Sequence, residues 1–309
     1  MTNLTEDARN YITTHQEFFC TTGLGAAFKT FSLTLALPLS ITAILGNVLI
    51  ILALRKVSSL HPPSKFLLGS LACTDLGVGL ISHPIRSGFF LSPDHSEDCH
   101  YFLILFNITG FVFGGVSLLT MTAISVDRLL ALSMGLRYKQ LVTVRRVRVL
   151  VITFWIFCTF GSITVLYSLR LTLGIGCAAF LPCTIISTFC YIKIYRTLRF
   201  SHAQVLSQSH QGQQNREGTL LNKARYKKTV STVLWAQISL LACSLPFGSL
   251  VSFASITGSV DPAAQSFKVI VSLAVTLMLS NSTLNPFLYC WKMTEMRQAV
   301  KDTIRQFCC

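Results

Sequence analysis

Polar and apolar positions along this chain are sorted into long blocks rather than short periods. Charge-poor apolar runs occupy Phe31–Leu54, Phe66–Phe90, Tyr101–Leu132, Val149–Leu169, Leu171–Ile192, Val230–Ile256 and Phe267–Tyr289. As a helix, each is long enough to cross a hydrocarbon layer roughly 30 Å thick, which takes about 20 residues. The pattern predicts an all-α membrane protein, a seven-transmembrane helix bundle. The fourth and fifth runs nearly touch, leaving an outer loop of only about Arg170 to Gly176. Beyond the seventh run, Trp291, Met296, Val300, Ile304 and Phe307 form an apolar stripe among basic residues, which predicts a C-terminal interfacial helix. The chain so divides into an N-terminal arm (1–27), the bundle (28–290) and an interfacial helix with its tail (291–309).

Composition agrees. Of 309 residues, 51% are hydrophobic and 12% charged, against about 25% charged in soluble domains. The first thirty residues are polar and acidic, so no cleavable signal peptide is evident. With the N-terminus outside, 21 of the 26 Lys and Arg fall in inner segments. The positive-inside rule therefore puts the N-terminus outside and the C-terminus in the cytoplasm. The net charge of +14 is explained by cytoplasmic loops beside anionic membrane lipids, and no nucleic acid is implied. Asn3-Leu4-Thr5 is a glycosylation acceptor in the outer arm. The inner segment Phe200–Asn222, rich in Gln, Ser and His, is expected to be flexible, with Ser201, Ser207 and Ser209 open to phosphorylation.

Several polar residues interrupt the apolar runs. The stretch Ser117–Ser133, SLLTMTAISVDRLLALS, carries Asp127 and Arg128 side by side. Such a pair costs several kcal/mol facing lipid, so it must face protein or water. Asp75 lies mid-span in the second run, and Asn47 in the first. Pro84 is expected to kink or loosen the outer half of the second helix. The seven histidines are scattered without metal-ligand spacing, and no inverted repeat is visible. Enzyme and transporter readings therefore lack a catalytic set and a pathway.

Gly46-Asn47 in the first span, LACTD ending at Asp75, Asp127-Arg128, Trp155 in the fourth span and NPFLY (Asn285 to Tyr289) occur in the order found in class A, rhodopsin-like G-protein-coupled receptors. The chain resembles that family from about Leu35 to Phe307, and is loosely similar to its melanocortin, adenosine and lipid receptors. The resemblance implies a plasma-membrane receptor that passes binding of an extracellular small-molecule, lipid or peptide ligand to a heterotrimeric G protein. Arrestin and a receptor kinase are further implied partners. Asp127, Arg128, Tyr191, Pro246, Asn285, Pro286 and Tyr289 take the places of the activation switch. Asn47, Asp75, Ser117, Asn281 and Asn285 match positions that hold an allosteric sodium ion. The alternative is a hydrogen-bonded cluster around a neutral Asp75. Cys308 and Cys309 end the interfacial helix where juxtamembrane cysteines are palmitoylated.

The chain also departs from the family pattern. Ser244 stands where a tryptophan is usual, in Cys243-Ser244-Leu245-Pro246. The inner end of the sixth span has Tyr226 near the place of the acid that often latches the helix-three arginine, so a weak latch and basal signalling are expected. The short outer loop has no evident cysteine, and Cys99 could pair with Cys20 or with Cys177. Gly110 occupies the place where amine receptors carry an aspartate, and Leu279 that of the retinal lysine, which disfavours both ligands. Arg86 and Lys268 could make the outer cavity positive, or could extend to lipid headgroups.

Overall fold

The structure is a computed structural model that describes residues 20, 24–58, 60–94, 96–167, 169–207, 235, 238–239, 241–250 and 265–308. It is a seven-helix membrane bundle. Its helices are α1 (Ala26–Lys56), α2 (Pro62–Leu91), α3 (Glu97–Met134), α4 (Val144–Ile163), α5 (Leu169–Ser207), α6 (described over Leu241–Leu250), α7 (Gln265–Lys292) and the shorter α8 (Thr294–Cys308). Asn3, Ser209, Tyr226 and Cys309 lie outside the described residues.

Local sequence sets the helix starts. Pro62 and Pro63 open α2, where a missing N–H costs nothing. At α3 the Ser96 hydroxyl accepts from the Cys99 N–H, with Glu97 and Asp98 in the first turn facing the positive end of the helix. Thr143 caps α4 through the Arg146 N–H. The outer connection between α4 and α5 is shorter than the sequence suggested. A 3-10 turn at Thr164–Leu166 closes α4, and Arg170 to Gly176 already belong to α5. That segment contains no proline, and a continuous helix satisfies its backbone within the membrane. At the inner end α5 continues to Ser207, through the start of the segment expected to be flexible.

α3 lies against α2, α4 and α5, while α1 touches α2, α7 and α8. Apolar residues such as Ile50, Leu71 and Met121 fill the interior, but they share it with polar groups, and apolar side chains also cover the outside. Asn47, Thr74, Asp75, Ser82 and Asn285 are fully buried, whereas Leu37, Phe160, Ile185 and Phe287 are exposed. Exposed apolar rings and branches at this density suit lipid, not water. Helices one and seven meet closely because Gly46 lacks a side chain. A Cβ there would lie 2.9 Å from Pro286 Cγ.

Two links tie the outer end. Cys99, at the start of α3, forms a disulfide with Cys20 of the N-terminal arm, not with Cys177. Lys29 at the start of α1 pairs with Asp94 at 2.8 Å. At the inner end, the stripe predicted for α8 is divided between two surroundings. Met293, Met296, Ala299 and Thr303 are buried, while Trp291 and Ile304 remain exposed. The reason is that α8 packs one side on α1.

Candidate functional site

Pro84 shapes the helix that carries the central carboxylate. A proline removes one backbone donor and crowds the carbonyl four residues earlier. α2 accommodates this with a π turn at Val78–Ser82, and the His83 N–H bonds Val78 O, five residues back. The extra residue in that turn rotates the outer half of the helix. His83, Arg86 and Phe90 are thereby buried in the bundle.

Asp75, just inside that turn, accepts a hydrogen bond from Asn285 Nδ2 at 2.7 Å. Asn47 Nδ2 donates to Ala43 O at 2.8 Å and to Ser282 O at 3.1 Å, which joins α1 to α7. The second oxygens of these groups are left over. Asp75 Oδ1, Asn47 Oδ1, Asn281 Oδ1, Asn285 Oδ1 and Thr120 Oγ1 are buried with no hydrogen-bond partner. An unmet buried acceptor costs about 1–3 kcal/mol, so this set calls for a cation or for water. One carboxylate with neutral oxygens suits a hard monovalent ion. Ser117 is buried a turn before Thr120 and makes no hydrogen bond to Asp75.

The inner end of α3 forms a clasp. Asp127 Oδ2 lies 3.0 Å from Arg128 Nη2 and accepts from Ser64 Oγ at 2.7 Å. Asp127 Oδ1 accepts from the Tyr138 hydroxyl at 2.6 Å. Tyr138 opens a short helix, Tyr138–Leu141, and its ring sits 5.1 Å from that of His61. Burial, then the bond to Asp127, pushes the Tyr138 phenol up to about 12. It therefore remains a donor at every physiological pH. Burial also lowers the His61 imidazole below its ordinary value, with Lys139 and Arg128 adding to the shift and Asp127 opposing it. Nearby, the Tyr191 and Ser125 hydroxyls are 2.9 Å apart, and Tyr289 is buried. Tyr138 and Ser64 were not singled out from sequence. The available signal was a serine in the first turn of α2 and a tyrosine just beyond α3, both at the inner end of the bundle.

In the outer half, Arg86 is 3% exposed, which excludes a headgroup contact. Its Nη2 donates to Ser272 O at 2.8 Å, Ser272 Oγ at 3.0 Å and Thr276 Oγ1 at 2.8 Å on α7. Lys268, a turn outward of Ser272, is also buried. On α3, a Cβ added at Gly110 or Gly114 meets nothing within 4 Å among the described residues. On α6, Ser244 is buried beside Pro246.

The sequence has counterparts among known proteins. The sequence model described as "7 transmembrane receptor (rhodopsin family)" matches residues 46–174 and 164–289. The chain belongs to this family. Within the rhodopsin family it is 26% identical over 294 residues to mouse (Mus musculus) trace amine-associated receptor 9, covering 85% of this chain and 81% of that one. It is 24% identical over 289 residues to melanocortin receptor 5 of Rattus norvegicus, covering 88% and 83%. To the human (Homo sapiens) adenosine receptor A2a it is 24% identical over 313 residues, covering 88% and 72%. The similarities span nearly the whole length, so this rhodopsin-family member is a receptor and not an enzyme. Its buried Ser244 remains a departure that the family match does not alter.

Proposed function

We propose that this receptor relays an extracellular ligand bound in the outer half of the bundle to a cytoplasmic heterotrimeric G protein. The observation that carries this reading is the clasp on Asp127. Arg128, Tyr138 and Ser64 all hold one carboxylate at the inner end of α3, so Arg128 is restrained in the resting arrangement. Release of Arg128 accompanies outward motion of α6 about Pro246, and Tyr191, Asn285, Pro286 and Tyr289 line the route between the two ends. The ligand shifts this equilibrium only by its differential affinity for the two arrangements. Nucleotide exchange itself belongs to the bound G protein.

Asp75, with oxygens of Asn47, Thr120, Asn281 and Asn285 and with Ser117 nearby, would hold a sodium ion. When bound, the cation supplies the charge that neutralises Asp75 and satisfies the orphaned oxygens. The N-terminus lies outside at the plasma membrane, with Cys308 and Cys309 anchoring α8 by palmitoylation. Arrestin and a receptor kinase meet the cytoplasmic side.

The test is ligand-independent G-protein activation in transfected cells across the G-protein classes. Wild type is compared with Arg128→Ala at equal surface expression. A basal signal in one class that the variant abolishes is the expected result. A basal signal unchanged in Arg128→Ala would remove Arg128 from the relay.

A further inference from the structure

α2 brings into the bundle a charge that neither the polar core nor the inner clasp uses. Arg86 is buried, and among the described residues no carboxylate pairs with it. Its hydrogen bonds to the described residues all leave from Nη2, to Ser272 and Thr276 of α7. Three of the five guanidinium N–H donors, on Nε and Nη1, are thus unused among the described residues. The group is flanked by the rings of Phe90, 5.1 Å from its centre, and Phe106, 6.0 Å away. One turn inward on α2, His83 is buried with neither ring nitrogen bonded.

A tie from α2 to two hydroxyls and a carbonyl needs donors, but it does not need a charge. An isolated buried cation is costly unless something neutralises it. Here the neutralising group is absent from the described part of the chain. The space beside Arg86 has a definite character. Phe106, Gly110 and Phe113 succeed one another at helical spacing on α3, so they share one face. Phe106 and Phe113 pack against a cluster formed by Val78 of α2 with Val275 and Leu279 of α7. Between the two rings, a Cβ at Gly110 would meet nothing within 4 Å among the described residues, and the same holds for Gly114 one turn on. Among the described residues, Arg86 is therefore a buried cation without a carboxylate, set beside an apolar slot.

We propose that Arg86 anchors the carboxylate of an amphipathic monocarboxylic acid whose apolar body lies along Gly110 and Gly114 between α3 and α7. Lys268, one turn outward on α7, is buried too but has Asp94 as an electrostatic neighbour, so the charge left without a carboxylate among the described residues is that of Arg86, and one guanidinium balances one carboxylate better than a phosphate. Gly110 adds a second reason. It carries no acid for an ammonium, and a cation already occupies the region. This ligand class rests on the receptor reading given above.

The test uses the full chain purified in detergent and reads thermal stability, which needs no G protein. The probes are straight-chain and aryl monocarboxylic acids of graded length, with their methyl esters and the matching alkylamines. At about tenfold excess over its Kd, an acid is expected to raise Tm by about 3 °C. Its ester and amine are expected to be silent, and Arg86→Gln to lose the shift. If no acid in the series stabilises the receptor, the proposal is overturned. The same holds if esters act equally, if only phosphorylated amphiphiles bind, or if Arg86→Gln keeps the shift. Should Arg86→Gln fail to fold, Gly110→Leu decides, because it fills the slot and leaves the cation in place. Loss of the acid shift in Gly110→Leu supports the site, and retention overturns it. Arg128→Ala is expected to keep the acid shift. An acid that binds through Arg86 yet never activates a G protein would leave this site standing and remove the relay.

Discussion

Tyr138→Phe isolates one bond of the inner clasp. The substitution removes only the hydroxyl that reaches Asp127 Oδ1 at 2.6 Å. The ring stays, along with its contact to His61. A hydrogen bond to a charged group is worth about 1.5–3 kcal/mol. Asp127 keeps Arg128 and Ser64 as partners, so the lower end of that range applies. About 1.4 kcal/mol is a tenfold change in an equilibrium. If roughly 1% of resting receptors are active, the variant raises that to about 10%. Protonation does not confuse the comparison. A phenol raised from 10 to about 12 contributes in full below pH 10 and is lost only as pH rises through the higher value. The assay is ligand-free G-protein dissociation, monitored by resonance energy transfer at matched surface expression. Basal activity at or below wild type in Tyr138→Phe would refute the clasp as a resting restraint.

Other contacts in the bundle can be probed in the same way. Gly46→Val places a branched side chain where a Cβ already lies 2.9 Å from Pro286 Cγ; overpacking of about 1–3 kcal/mol lowers Tm by several degrees, and an unchanged melting curve would contradict the close approach. Asp75→Asn is expected to abolish any stabilisation by sodium chloride over choline chloride, and a persisting sodium effect would place the ion elsewhere. His61, a base whose value is lowered by burial, contributes stability that is present above about 6.5 and lost as pH falls through the lowered value. Wild-type Tm should therefore drop on acidification, with His61→Gln flattening the profile. Cys20→Ser opens a loop with a sequence separation of 79, a loss of about 4.5 kcal/mol by chain entropy. Surface expression should fall to the level of Cys99→Ser, and the double variant should be no worse than either.

Sequence carried the bundle because membrane helices need only length and apolarity, which survive without any tertiary information. Asp75 and Asn47 were legible because a polar residue mid-span must find a partner, and Asn285 through the resemblance carried by NPFLY. Arg86 was ambiguous in sequence, either a cavity charge or a headgroup contact. What decided it was the π turn at Val78–Ser82, which sets the rotation of the outer half of α2. A proline announces a disturbance, but it does not specify how many residues the turn will hold. Tyr138 was missed because its role depends on a loop folding back onto α3, and loop tyrosines at a membrane surface have ordinary reasons to be there. The boundary of α4 and α5 was misplaced because the two apolar runs nearly touch, and hydropathy alone does not say where one helix stops and the next begins. The disulfide partner of Cys99 was not legible, since spacing does not fix connectivity.

The relay itself is tested most directly by the distance between the inner ends of α3 and α6. Spin labels would be placed at Ser133, which is exposed on α3, and at Lys228, in the basic stem preceding the sixth span. Because the chain has 11 cysteines, the labels should be attached through unnatural amino acids. Pulsed electron resonance would then be recorded with and without nucleotide-free G protein. A population displaced outward by several ångströms when the G protein binds, and missing in Arg128→Ala, is the predicted result. A single unchanged distance with G protein demonstrably bound would contradict the outward motion of α6 and the release of Arg128 that depends on it.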